Sequence, residues 1–553
     1  MSEPSLESLL AAAAERRDER LYRRALALAP DSMPAFANRG VLLRALGRRE
    51  EAVACYRRAL RLDPGNWVHP YNLGNALAEL NRLEEADAAY RAALACDPAR
   101  AEVLANRATK ALAQQARVEA AARDLRRAVR LHPGADALHS MHLYLLQYVP
   151  GPSARTVAQA HADWGVRHPD PPPPTVAAPA PRLKVGFVSP DFRAHPVGFF
   201  LEPVLAHLDR AGFEATCYAH TANPDWKTER LQRLSDRWVW TTGLDDRALE
   251  RQIRADGIHV LIDLAGHTFG NRLAVFARRP APVQATWAGY VGTTGLPAMD
   301  YLISDARQSP PGAESLATEA IVRLPDAYVV WGPPEDAPEP APPPLLARGH
   351  PTFGSFNTLL KLNGATAELW ARLLVAVPGA RLLLRTPQLE DAGTRERVRA
   401  LFAARGVDPA RLDLRGGLPH REFLAAYADV DVALDPFPYS GGLTTLEALW
   451  MGVPVVTRGG ERFCSRHSTT HLTSAGLEDL IADGADTYVA TAAGLAADPA
   501  RLADLRAGLR ARLRASPACD AARFTRGLES ALRFLWQRHA AGQPPAGFSL
   551  TFG

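Results

Sequence analysis

Lysine is nearly missing from this chain. Only Lys110, Lys184, Lys227 and Lys361 occur, against 64 Lys and Arg together in 553 residues. Arginine therefore supplies almost all positive charge, and 60 acidic residues bring the formal net charge to +4. No basic patch is interleaved with aromatics, which argues against a nucleic-acid partner. Cysteine is scarce as well. Cys55, Cys96, Cys217, Cys464 and Cys519 are odd in number and far apart, so they form neither a disulfide framework nor a CxxC metal pair. Free thiols suit a reducing cytosol, and a cytoplasmic location is expected. No run of 18 or more apolar residues occurs, so no membrane span is expected. The opening MSEPSLESLL has no basic stretch ahead of an apolar run, so no secretory signal is expected. A GxSxG elbow, an HExxH pair and a Walker lysine motif are all absent. What remains is 47% hydrophobic and 22% charged, a globular composition long enough for about three domains.

The first 150 residues carry a repeat. Pro30, Pro64 and Pro98 fall 34 residues apart, and Pro133 follows after 35. Tyr22, Tyr56 and Tyr90 keep the same period, as do Asn38, Asn72 and Asn106, and Gly40, Gly74 and Ala108. Each unit reads as two amphipathic helices, such as AFANRGVLLRALG followed by REEAVACYRRALRLDP, and resembles the tetratricopeptide repeat. One helix pair cannot bury its own apolar stripe, so neighbours must stack and leave a concave groove. The small residue lets the second helix approach the first, and the proline ends the second helix. Asn38, Asn72 and Asn106 either form a ladder that holds an acceptor peptide backbone or satisfy local groups at helix contacts.

Residues 151–182 read as a Pro-rich linker, with HPDPPPPTVAAPAPR extended and semi-rigid. Beyond it, LKVGFVSPDF and HVLIDLAGHT read as buried strands. TFGSFN, ARLLLRT, RLDLRG, DVALDPF and VPVVTRGG repeat the pattern with helices between. Alternating strands and helices predict parallel sheets covered on both faces. We expect two Rossmann-like lobes, 183–335 on the acceptor side and 336–520 on the nucleotide side, then a C-terminal helix and tail over 521–553. Ligands of such sheets bind outside the carboxyl ends of the strands.

Several loops carry candidate chemistry. In LDPFPYSGGLTTLEALWMGVPVV a strand ends at Asp435, a Gly-containing loop follows, and Thr444 and Thr445 open a helix. A helix N-terminus with free N–H groups suits a phosphate, and Glu447 in the first turn suits ribose hydroxyls. The plain alternative is a capped helix after a strand. In GSFNTLLKLN, Asn357 and Thr358 begin a loop that reaches Lys361, a compact cation suited to a diphosphate or else an ordinary surface lysine. His195, in SPDFRAHPVGFF, lies just past the first strand and faces the interlobe cleft if the lobes are as drawn. Asp256 in RADGIHV reads as a water-mediated proton relay or as an ordinary helix-end carboxylate. His267 and Thr268 follow the next strand in GHTFGNR. Asp429 and Asp431 mimic a DxD pair, but they flank a buried strand, and at least one reads as its cap. No metal is assigned, so the leaving-group charge falls to Lys361 and the helix end.

Taken together, the repeats, KVGFVSPDFRAHP, RPAPVQATWAGYVGTTGLPAMDYLISD, FGSFNTLLK and LDPFPYSGGLTTLEALWMGVPVVT resemble the protein O-GlcNAc transferase family, glycosyltransferase family 41, SPINDLY-type members included. The resemblance spans Ala35 to Trp536. It implies a tetratricopeptide superhelix joined to a two-lobed GT-B fold. It also implies a metal-independent, inverting transfer of a sugar from a nucleotide donor to protein Ser or Thr, with no cofactor. Carried over by motif, His195 matches the cleft histidine and Lys361 the lysine on the donor diphosphate. Thr444 and Thr445 match the phosphate-binding pair, and Glu447 stands where an acidic residue holds the ribose. Asp256 and His259 match a carboxylate and histidine of the animal enzyme, which makes Asp256 a candidate relay. Gly442 and Leu443 replace the animal enzymes' histidine before the threonines. GTTGLPAMDY, FGSFNTLLK and SPACDAARFTRGLESALRFLW stand closer to the SPINDLY branch, whose plant members use GDP-fucose. UDP-GlcNAc is thus the first expected donor and GDP-fucose its rival. A repeat-mediated scaffold without catalysis is the non-enzymatic alternative.

Overall fold

The computed structural model describes residues 5–176, 178 and 181–551. Helix pairs stack through the first part of the chain: Leu6–Arg16 with Glu19–Leu28, Met33–Ala45 with Arg49–Leu62, and Val68–Glu79 with Leu83–Cys96. A fourth pair joins Ala101–Asn106, continued as a π-helical turn over Arg107–Leu112, to Val118–Leu131. The periodic glycines have a steric cause. A Cβ on Gly40 would sit 2.7 Å from the Tyr56 ring, and one on Gly74 would sit 2.8 Å from the Tyr90 ring. Both tyrosines are fully buried, so glycine and tyrosine form one contact repeated at the 34-residue period.

Residues 151–182 depart from the expected linker. Ala154–Gly165 is a helix, capped by the Ser153 hydroxyl, which accepts from Thr156 N–H at 3.1 Å. It is packed tightly: a Cβ on Gly165 would fall 1.6 Å from the Gly295 carbonyl oxygen. Trp164 is buried against the His267 ring, 4.6 Å between centroids. In the proline-rich stretch that follows, the described residues 169–176 form neither helix nor strand.

The first lobe holds β1 (Leu183–Ser189), β2 (Phe213–Ala219), β3 (Arg237–Trp240), β4 (Val260–Asp263), β5 (Val283–Thr286), β6 (Tyr301–Asp305) and β7 (Ala320–Leu324). The second holds β8 (Thr352–Ser355), β9 (Arg381–Arg385), β10 (Leu412–Arg415), β11 (Val432–Leu434), β12 (Val455–Arg458) and β13 (Ile481–Ala482). A short β14 (Phe548–Ser549) returns to the first lobe and pairs with β7. The sheet orders are β14-β7-β6-β5-β4-β1-β2-β3 and β10-β9-β8-β11-β12-β13, parallel at every pairing. These are two doubly wound units, and every strand's carboxyl end within a unit lies on one edge.

The chain passes between the lobes twice, side by side. Trp331 N–H, on the outgoing strap, donates to the Ala518 carbonyl on the returning one at 2.9 Å. The last long helix, Ala521–Ala540, then buries Phe524, Leu528, Ala531, Leu532 and Leu535 in the first lobe's core. Among the described residues no helix is long and apolar enough to cross a membrane.

Candidate functional site

Beyond β8 the chain turns through Asn357 and Thr358 into a 3-10 turn, Leu359–Lys361. Beyond β11 it runs through Asp435 and the Ser440-Gly441-Gly442 loop into the helix Leu443–Trp450. Because β8 and β11 are neighbours in register, these two loops meet. Lys361 Nζ donates to the Ser440 carbonyl at 2.7 Å and to Asn357 Oδ1 at 3.1 Å. Thr444 Oγ1 donates to the same Asn357 oxygen at 3.0 Å. Lys361 and Thr444 therefore share one acceptor, next to Phe356 and Leu443. Burial pushes the Lys361 amine down to about 8, against the smaller opposing pull of the Asp435 carboxylate. At pH 7 the protonated form still predominates.

Asp435 shapes the glycine loop. One carboxylate oxygen accepts from Gly441 N–H at 2.6 Å and the other from Thr457 Oγ1 at 2.6 Å. Burial pushes its carboxyl up to about 6, although those hydrogen bonds and Lys361 pull it down. Thr445 is buried, and its hydroxyl pairs with Ser468 Oγ at 2.8 Å. Glu447 meets His420 Nε2 at 2.8 Å, and burial holds its carboxyl above the usual range.

His195 caps the helix Pro196–His207, with Nδ1 accepting from Val197 N–H at 3.4 Å and Asp191 3.8 Å away. Burial depresses its imidazole, the Asp191 charge only partly offsetting this, which favours the neutral ring. A cavity of about 300 Å³ joins the lobes here. His195 and Phe199 wall it from the first lobe; Arg385, His420, Phe423 and Glu447 wall it from the second. An imidazole able to accept a proton thus shares a cavity with a carboxylate–imidazole pair, beside a lysine and a helix N-terminus. Such a site can hold an anionic, hydroxyl-bearing ligand between its lobes.

Other expected site residues lie elsewhere. Asp256 ends a helix ahead of β4, whereas His195 follows β1. The two strands run parallel, so these residues sit at opposite edges of the sheet. At about 3.3 Å per residue the strands alone put roughly 13 Å between them. Asp256 accepts from Tyr218 Oη at 2.7 Å and from Arg237 at 2.8 Å, a buried strut and not a relay in the cleft. His259 shares that wrong edge: Nδ1 accepts from Lys184 N–H at 2.9 Å, and its ring meets Trp536 edge-on at 4.7 Å. His267 does follow β4, but its nitrogens are engaged by Ser140 Oγ at 3.0 Å and the Thr294 carbonyl at 2.7 Å, in a seam with the helical region. Thr268 Oγ1 closes a local turn on Ala265 at 2.8 Å. Asp431 accepts from Leu345 and Thr352 N–H, and Asp429 pairs with Arg348 and Arg415.

The repeat asparagines do not share one environment. Asn38 is exposed and Asn72 half-buried. Asn106 Nδ2 donates to Tyr71 Oη and Asn75 Oδ1, both at 2.9 Å, inside the array's own network. Residues passed over include His420, Phe423 and Arg385. His420 and Phe423 follow β10 and Arg385 ends β9, so nearness to a strand's carboxyl end was the available signal. The helical region also reaches the cavity's rim: Asn81 Nδ2 donates to the Pro387 carbonyl at 2.7 Å, and Gln114 accepts from Gln388 at 2.7 Å.

Comparison with known proteins accords with this arrangement. The profile of glycosyl transferase family 41 matches residues 165–333 and 348–528, and tetratricopeptide profiles match 34–66 and 71–100. A tomato (Solanum lycopersicum) protein named probable UDP-N-acetylglucosamine--peptide N-acetylglucosaminyltransferase SPINDLY is 36% identical over 431 residues, 76% of this chain and 46% of that protein. The Caenorhabditis elegans UDP-N-acetylglucosamine--peptide N-acetylglucosaminyltransferase is 26% identical over 66% of this chain and 41% of its own length. A solved structure of a mutant Thermobaculum terrenum O-GlcNAc transferase superposes with a TM-score of 0.79 at 37% identity, covering 98% of this chain and 99% of that one. The chain spans less than half the length of these plant and animal relatives. By profile, by relatives and by fold, the chain belongs to glycosyl transferase family 41.

Proposed function

We propose that this protein is an inverting glycosyltransferase that moves a sugar from a nucleoside-diphosphate donor to Ser or Thr hydroxyls of proteins, with UDP-GlcNAc as donor. The observation that carries the reading is the convergence of Lys361 and Thr444 on Asn357, beside the cavity shared with His195. The names of the relatives, peptide N-acetylglucosaminyltransferases, support the donor and acceptor class. In this reading Lys361 and the N–H groups opening the Thr444–Thr445 helix take up the negative charge of the departing diphosphate. Glu447 and His420 receive the ribose hydroxyls. The acceptor hydroxyl attacks the anomeric carbon from the face away from the leaving group, and His195, on the first-lobe wall of the cavity, supports a place for that hydroxyl there.

The acceptor protein runs from the groove of the helical array to the cavity. That path is supported by the contacts of Asn81 and Gln114 with Pro387 and Gln388, beside Thr386 and Pro387 of the cavity lining. Buried free thiols at Cys55, Cys217 and Cys464 fit a reducing cytosol, where the relevant acceptors would be found.

The test is incubation with a panel of UDP- and GDP-sugars and a lysate acceptor, reading nucleotide release and mapping modified peptides by mass spectrometry. Release from UDP-GlcNAc with HexNAc on Ser or Thr is expected. Release only from GDP-fucose would move the donor assignment to the rival. Release from none, with no melting shift by UDP or GDP, would leave the scaffold reading.

A further inference from the structure

The helical array does more than border the cavity: the turn that carries Lys361 is mounted on it. Leu360, the residue before Lys361, is buried in an apolar cluster with Ala105, Leu112, Leu125 and Tyr148 of the helical region. Tyr148 follows the helix Asp136–Leu146 and stacks on Tyr439 of the glycine loop, with centroids 4.4 Å apart and rings at 17°. Lys361 Nζ stands 4.6 Å from the centroid of that same Tyr439 ring. The segment bearing Tyr148 is clamped to the second lobe. Arg462 donates to the carbonyls of Leu146 at 3.3 Å, Val149 at 3.0 Å and Pro152, and Asn363 Nδ2 donates to the Tyr148 carbonyl at 3.4 Å. Tyr148 Oη is tied to Tyr144 Oη at 2.7 Å.

A lysine on a four-carbon stem spreads over many rotamers unless its ammonium is held. Here it is held by two hydrogen bonds and one aromatic face. That face is only as fixed as its ring. Tyr439 is half-buried, and a parallel stack with a clamped partner fixes its plane.

Resting on the reading of Lys361 as the donor-diphosphate contact, we propose that Tyr148 is a positioning residue of the donor site. Through Tyr439 it holds the Lys361 ammonium in place, so the helical array is a structural part of the nucleotide site as well as a route for acceptors.

The experiment uses the full chain and calorimetric titration with UDP, UMP, GDP and GMP. Tyr148→Phe keeps the stack and loses only the hydroxyl's interactions with Tyr144 and Tyr439, so its affinities should stay within about twofold of wild type. Tyr148→Ala should weaken diphosphate binding about tenfold, the scale of one cation–π contact, while monophosphate binding changes less than about threefold. The diphosphate-to-monophosphate preference is the readout that a general loss of packing would not move. If melting shows Tyr148→Ala unfolded at the assay temperature, Tyr148→Leu, which fills the space without a ring, carries the same expectation. Unchanged binding by a folded ring-less variant, or equal losses for mono- and diphosphates, overturns the proposal. If wild type binds neither UDP nor GDP, it is the donor reading that has failed, and the proposal falls with it.

Discussion

Replacing Lys361 by Met separates function from stability. In the folded protein, burial lowers the amine from its ordinary 10.5 to about 8. At pH 7 the charged form therefore costs the fold about 3 kcal/mol, at about 1.4 kcal/mol per tenfold change. Methionine of similar length removes that cost. Against it stand the lost hydrogen bonds to Asn357 and Ser440, about 1 kcal/mol each. The net expectation is a protein as stable as wild type, or about 1 kcal/mol more stable. Transfer should fall by about 10²–10³, the scale of removing one preorganised charge contact to a departing anion. The sign with pH is also set. Between about pH 8 and 10.5 the unfolded chain binds the proton that the fold sheds, so this group's contribution to stability rises with pH across that window. Lys361→Met should lack that rise. Chemical denaturation at pH 7 and pH 10, beside turnover at pH 7, checks both halves. Turnover like wild type, or a loss of several kcal/mol at pH 7, would refute the reasoning.

Other outcomes follow from the same geometry. Asp256→Asn should lose about 1–3 kcal/mol of stability through its Tyr218 and Arg237 contacts while keeping turnover within about twofold of wild type; a large loss of turnover in a stable variant would restore the relay. Gly74→Ala forces a methyl to within 2.8 Å of the buried Tyr90 ring and should cost about 1–3 kcal/mol in a denaturant melt, whereas a cost below about 0.5 kcal/mol would contradict the packing account. In an NMR titration, the histidine signal that vanishes in His195→Ala should have its midpoint below the ordinary 6.5, since burial disfavours the imidazolium; a midpoint above 6.5 would contradict the site's electrostatics.

The helical array was legible because its contacts repeat: Gly40 with Tyr56 and Gly74 with Tyr90 are one steric event written at a fixed period. The donor side of the site was legible for a related reason. Lys361, Thr444 and Glu447 all follow strands, and neighbouring parallel strands bring such loops together. Asp256 and His259 went astray because nearness to a strand does not say which end of it is near. Both precede β4, so the carboxyl-end rule itself places them away from the cleft. His267 obeys that rule and is still withheld, by Ser140 on a helix 127 residues earlier in the chain. Pairings of that separation leave no periodic trace. The helix Ala154–Gly165 was illegible for a different reason: the prolines just beyond it give the whole segment a linker's composition, while its own Ser153 cap and buried Trp164 are only local signals.

A crystal structure of the protein soaked with UDP tests the central claim most directly. The account predicts a diphosphate within about 3 Å of Lys361 Nζ and of the backbone N–H groups at Thr444, with the ribose against Glu447 and His420. A nucleotide lodged elsewhere, with Lys361 still bonded only to Asn357 and Ser440, would contradict it.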